Sequence, residues 1–278
     1  MQEMAKSEIC AEGSAPRIKP ATALSTRSNP PEREHRRLRF TSLPVRQEDV
    51  PLSATHGRLA GMDDNELEPA VEDATAFWEG RYAEQDQIWS GRPNHSLVDA
   101  VAGIPAGRAL DLGCGEGGDA VWLASRGWQV TAVDISGTAV GRAAALAARS
   151  SIPEGRIDWR VEDLSGWQPT GGYDLVSACF FHSPREFPRA EVLRRAASTV
   201  RPNGHLLLVG HAAFPPWSQN RDHGDHRFLS PAEELAELQP DPDHWATIIA
   251  DIRTRPATGP NGEQATLDDT VVLLRRIT

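Results

Sequence analysis

From residue 62 onward the chain alternates short apolar runs with stretches of helical period. The runs are ALDL (109–112), WQVTAVDIS (128–136), RIDWRVED (156–163), YDLVSACFF (173–181) and HLLLVGHA (205–212). Runs this short and this apolar predict strands, several of them buried on both faces. Helical spacing recurs between them. It covers residues 67–84, where Val71, Ala74, Phe77, Trp78 and Tyr82 share a stripe, and residues 95–102. It returns in AVWLASRG, closed by Gly127, in the Ala-rich GTAVGRAAALAARS, and after Pro188. Ser230 is placed to cap a helix over 231–238. RPNG (201–204) reads as a turn. WATIIADIRTRP (245–256) and DDTVVLLRRIT (268–278) predict two last strands, separated by the turn TGPNGEQA. Strands alternating with helices predict an α/β fold: a doubly wound, mostly parallel, seven-stranded Rossmann-like sheet with helices on both faces. Two strands joined by a turn alone must pair antiparallel, so a C-terminal hairpin closes one edge.

The first 61 residues break this texture. They are rich in Pro, Ser and Arg, show no sustained period, and carry ten Lys/Arg against seven Asp/Glu. Such a segment buries too little apolar surface to offset its ordering entropy. Residues 1–61 are therefore expected to be a disordered extension, and 62–278 the folded domain. Met62 opens the patterned region, which suggests that the native start lies there. The cluster Arg33, Arg36, Arg37 and Arg39 is a candidate anion- or nucleic-acid-binding arm, with no function as its alternative.

The stretch ALDLGCGEGGDA (109–120) places a glycine cluster after a strand and before a helix. Gly113, Gly115 and Gly118 satisfy G-x-G-x-x-G, a weak signal for a nucleotide-like ligand. In an open parallel sheet, ligands sit at the carboxyl ends of the strands near the reversal of strand order. Gly113, Gly115 and Gly117 would let backbone approach a ligand closely. The helix N-terminus that follows favours an anion. Asp134 ends the second strand, where an acid can accept hydrogen bonds from both ribose hydroxyls. A nicotinamide dinucleotide and S-adenosylmethionine fit equally to this point. Three features separate them. Asp111, two residues before the first glycine, would repel a pyrophosphate but balance a methionine ammonium. Glu162-Asp163-Leu164 ends the third strand, where an acid can accept from an adenine amine. The terminal hairpin is foreign to the usual dinucleotide domain.

As a set, ALDLGCGEGG (109–118), VTAVDIS (130–136), VEDL (161–164), YDLVSA (173–178) and VRPNGHLLLV (200–209) resemble the class I S-adenosylmethionine-dependent methyltransferases, in family order and spacing. The resemblance covers about residues 77–278. It implies S-adenosyl-L-methionine as cofactor, held by Asp111, Gly113, Cys114, Gly115 and Gly117, by Asp134, Ile135 and Ser136, by Glu162, Asp163 and Leu164, and by Ala178. Asn203 stands where the family turn usually has a second glycine, and Asn tolerates positive φ. FWEGRYAEQDQIWSGRPN (77–94) is similar to the entrance segment of the thiopurine and tellurite-resistance branch. That likeness implies that Tyr82, Trp89 and Arg92 line the site, with an aromatic face beside the sulfonium.

His182, after the fourth strand, lies where the methyl group would be presented. It is the candidate general base for a hydroxyl acceptor, and packing is its alternative. Phe180 and Phe181 would wall the pocket. Cys114 and Cys179 read as packing residues. The loop 211–228, with three His and two Asp, reads as a substrate cover anchored by Trp217 rather than a metal site.

Composition narrows the rest. The net charge of −10 argues against a nucleic-acid partner, which needs a basic face. Three dispersed cysteines suit a reducing, cytoplasmic compartment, and no apolar run is long enough for a membrane span. The expected activity is methyl transfer to a small-molecule nucleophile: a thiol, metalloid or hydroxyl. Alternatives are a methyltransferase acting on RNA or protein, a non-catalytic cofactor-binding regulator and a nicotinamide oxidoreductase. Monomer and homodimer both stay open, as does the acceptor atom.

Overall fold

The computed structural model describes residues 73–217, 227–259 and 262–278. All of the extension (1–61) and residues 218–226 of the 211–228 loop lie outside these residues. Thirteen elements follow in chain order: α1 (Ala74–Ala83), α2 (His95–Val101), β1 (Arg108–Leu112), α3 (Gly118–Ser125), β2 (Gln129–Asp134), α4 (Gly137–Arg149), β3 (Ile157–Val161), β4 (Tyr173–Cys179), α5 (Arg189–Ala197), β5 (Val200–His211), α6 (Pro231–Leu238), β6 (Trp245–Thr258) and β7 (Gln264–Arg276).

The seven strands form one sheet in the order β3-β2-β1-β4-β5-β7-β6. β1 pairs in parallel with β2 and β4, β2 with β3, and β4 with β5. β7 is antiparallel to both β5 and β6, so it alone runs against the others. The last strand in the chain thus slots inside the sheet, and β6 takes the edge.

Two-residue periodicity sends alternate side chains to two separate cores. Ala109, Leu175, Leu207, Val209, Val271 and Leu273 join the layer under α2, α3 and α4. Leu110, Val176, Leu206, Leu208, Val272 and Leu274 join the layer under α5 and α6. This is why LLLV and VVLL read as unbroken apolar runs: both faces are dry.

Local chemistry sets several boundaries. The Ser136 hydroxyl accepts the Ala139 N–H at 3.1 Å and caps α4. Ser230 and Glu233 form a reciprocal capping box at α6. RPNG is not a turn separating two elements. It is an irregularity within β5, between the pairs Tyr173–Val200 and Leu175–His205. Asn203 sits there at φ +65°, as the missing glycine requires. β6 and β7 also extend further than their apolar runs, because edge-strand hydrogen bonding continues through polar residues. The helix expected over 67–84 is described only as α1, its earlier residues lying outside the described set.

Candidate active site

A cleft of about 1160 Å³ opens at the carboxyl ends of the parallel strands, where the sheet order reverses between β1 and β4. Its floor is the turn between β1 and α3. Gly117 adopts φ +84°, and a Cβ there would lie 2.6 Å from the Ala143 methyl and 2.9 Å from the Trp159 ring. Only glycine lets the turn lie flush on α4. Gly113, at φ +64°, is equally confined: a Cβ would come within 2.7 Å of the Phe181 ring.

Asp134, 7% exposed, locks the turn from β2. Its carboxylate accepts the Gly115 N–H at 2.8 Å and the Ser136 N–H at 3.0 Å. Helix capping falls to Ser136, so Asp134 is left facing the cleft. Burial raises its carboxyl above the usual range, against the pull of those N–H bonds.

Asp111 is 2% exposed and lines the cleft. The Ser177 hydroxyl donates to its Oδ1 at 3.0 Å, while its Oδ2 is buried with no hydrogen-bond partner among the described residues. Burial pushes this carboxyl well up, and the nearby Asp119 adds to the effect. A buried carboxylate oxygen left without a donor is costly, and it is suited to a cationic ligand group.

The segment from Tyr82 to Arg92 folds against the turn. Its main anchor is Glu116, which accepts the Trp89 N–H at 2.8 Å and pairs with Arg142 at 2.9 Å. Arg142 also donates to the Tyr82 and Gln85 carbonyls at 2.8 and 2.7 Å. Asp119 accepts both the backbone and side-chain N–H of Asn94, at 2.6 and 2.7 Å. Trp89 donates from Nε1 to the Tyr82 hydroxyl at 3.2 Å, and both residues line the cleft beside Gly115. Burial raises the Tyr82 phenol. Sequence reasoning missed Glu116, Asp119 and Arg142. The available signal was two acids inside an otherwise apolar glycine turn.

Of the expected cofactor residues, Asp111, Gly113, Cys114, Gly115, Gly117, Asp134, Ile135, Asp163, Leu164, Tyr82 and Trp89 are brought together around the cleft, as is Arg92. Asp163 already accepts the Ser165 N–H and hydroxyl, each at 2.8 Å. Ser136, Glu162 and Ala178 are not part of the lining. Ser136 is spent on the α4 cap, and strand alternation turns Ala178 into the core under α5. Cys114 and Cys179 have thiols held well above their usual pKa, chiefly by burial, which keeps them protonated and un-nucleophilic.

Phe180, Phe181 and His182 wall the cleft after β4. Phe180 takes φ +52°, a strained conformation for a residue with a Cβ, and its ring stacks on His211 at 4.3 Å. His182 is exposed toward the cleft mouth. Residues 218–226 of the expected covering loop lie outside the described residues; Trp217 itself is not in the lining. Among the described residues there is no cluster of potential metal ligands, and no helix is long and apolar enough to cross a membrane.

Comparison with known proteins bears on this arrangement. Residues 109–204 match the family described as a methyltransferase domain. Over residues 109–204 the chain is thus similar to methyltransferase domains, a match that covers less than half of its length. Over 134 residues it is 35% identical to ribosomal RNA small subunit methyltransferase C of Chromohalobacter salexigens, covering 45% of this chain and 38% of that protein. It is 30% identical to thiocyanate methyltransferase 1 of Arabidopsis thaliana, covering 50% and 65%. The chain thus spans less than two thirds of either relative. The fold is shared with the N-methyltransferase NodS from Bradyrhizobium japonicum, with S-adenosylhomocysteine bound there (TM-score 0.54, 17% identity, 74% of this chain and all of that one). The matched segment contains the glycine turn, Asp134, Asp163 and the β4 wall, and ends at Gly204. The entrance segment and the β6–β7 hairpin lie outside it.

Proposed function

We propose that this chain is an S-adenosylmethionine-dependent methyltransferase acting on a small-molecule nucleophile. The observation that carries the reading is the buried, unpartnered Oδ2 of Asp111 beside a glycine-lined turn. A pyrophosphate would meet repulsion there, whereas an amino-acid ammonium would satisfy the orphaned oxygen. The donor supplies an electrophilic methyl on a sulfonium. The residues of this chain do the rest. Asp111 holds the ammonium and Asp134 accepts from the ribose hydroxyls. Asp163 accepts from the adenine amine, exchanging one of its Ser165 bonds. Tyr82 and Trp89 present aromatic surface to the positive sulfur. Catalysis comes mainly from aligning acceptor and methyl in a walled space. A thiol acceptor needs little base assistance. A hydroxyl acceptor would use His182 as base.

The relatives are named for acceptors as different as ribosomal RNA and thiocyanate, so they do not choose between a macromolecule and a small molecule. The acidic chain and the aromatic walls support a small acceptor. Calorimetric titration of the full chain with S-adenosylmethionine, S-adenosylhomocysteine and NADH tests the reading. Binding of the first two in the micromolar range and none of the third is expected. Binding of NADH alone overturns it.

A further inference from the structure

The cleft is divided by charge along the line where the sheet order reverses. On the side of β3, β2 and β1 the lining carries Asp111, Glu116, Asp119, Asp134 and Asp163. On the side of β4, β5 and β6 it carries His182, Arg185, His211, Arg227 and Arg255, with Glu186 the one acid. Asp73 and Arg92, from the N-terminal segment, offset each other. The acidic half matches a donor with a net positive charge. The cationic half is where an acceptor would lie.

Arg255 is the built feature of that half. Its side chain is 18% exposed, and its Nε donates to Asp269 Oδ2 at 2.7 Å. Asp269 is fully buried behind the lining, accepts the Ser96 hydroxyl at 2.7 Å, and lies 3.9 Å from His211 Nδ1. One hidden carboxylate thus pairs with the cleft-lining Arg255 and lies beside the cleft-lining His211. The Nε bond uses one of five guanidinium donors. It also fixes the fork, so less side-chain freedom is lost when an anion binds. The guanidinium carbon stands 5.8 Å from the Phe180 ring centre, and Phe181 and Phe187 pack edge to face at 5.2 Å alongside. A planar anionic fork beside aromatic rings is what this surface complements.

We infer that the acceptor is an aromatic acid: a ring against Phe180 and Phe181, a carboxylate held by Arg255, and the nucleophilic hydroxyl or thiol turned toward the donor half. The inference rests on the methyl-transfer reading and narrows its substrate class. The test uses the full chain saturated with S-adenosylhomocysteine, titrated calorimetrically with 2-, 3- and 4-hydroxybenzoate, the matching mercaptobenzoates, and the amide of each. At least one carboxylate should bind tenfold or more tightly than its amide. Arg255→Lys, which keeps a charge against Asp269 but loses the fork, should cut that ratio below threefold. The wild-type ratio needs no variant, so a misfolded substitution leaves the test intact. Equal affinity of acid and amide, or no binding by any carboxylate of the panel, overturns the inference. Failure to bind S-adenosylhomocysteine at the outset overturns the methyltransferase reading instead.

Discussion

On the β1–β3 side of the cleft, the acids Asp111, Glu116, Asp119 and Asp134 lie at or within a few residues of a strand end, and the backbone between them carries the shape. On the β4–β6 side, Phe180 follows β4 and its ring stacks on His211 of β5, while Arg255 of β6 donates to Asp269 of β7, which also accepts from Ser96, 173 residues away. The first half is a local object. Its geometry follows from positive φ at the glycines and from N–H groups donated to Asp134. The second half exists only because β7 inserts between β5 and β6. That register puts Asp269 opposite His211 on one side and Arg253 on the other, with Arg255 two residues along on the same face. A single chain has used backbone conformation to shape one wall and buried charge pairing to shape the other.

Either wall can be broken separately. The largest effect is expected from Asp269→Ala, which leaves Arg255 facing an empty interior. Removing one member of a buried pair costs about 3–5 kcal/mol, read as a lower urea midpoint. Donor affinity in the surviving folded fraction should stay near the native value, since the glycine wall is untouched. Gly117→Ala comes next. The strained φ costs about 1–2 kcal/mol and the contact with Ala143 about 1–3 kcal/mol more, so the midpoint falls and donor binding falls with it. If Gly117→Ala loses stability while binding donor normally, the glycine wall is structural only.

Asp111→Asn sharpens the contrast within the donor wall. The folded-state pKa of Asp111 is raised by burial above its unfolded value. The folded protein therefore binds more protons than the unfolded one between those two values. As pH rises through that window, the ligand-free protein loses stability. The asparagine variant should lack this loss and melt at a higher temperature than wild type near neutral pH without ligand. Its affinity for S-adenosylmethionine should fall by an order of magnitude or more, since a hydrogen bond to a charged group is worth about 1.5–3 kcal/mol. A variant that melts higher but binds normally would separate the buried charge from the ligand.

Much of the fold is legible in the pattern of residues. Strand and helix order follow from apolar period, and Ser136, Gly127, Ser230 and Asn203 act through their own neighbours. RPNG misled because the same four residues that make a turn in isolation can be absorbed as an irregularity when the flanking strand keeps its partner. Ala178 and Ser136 share motifs with true lining residues, yet strand alternation and helix capping direct them elsewhere.

The sequence alone determined the α/β order, the glycine turn, and the acids Asp111 and Asp134 near the ends of β1 and β2, because those properties depend on residues a few positions apart. Tertiary structure decided the Glu116–Arg142 clamp on the entrance segment and the Asp269 anchor behind Arg255 and His211. A charge buried in a low-dielectric interior must find its partner in space. Sheet order, not sequence distance, determines which partner is within reach.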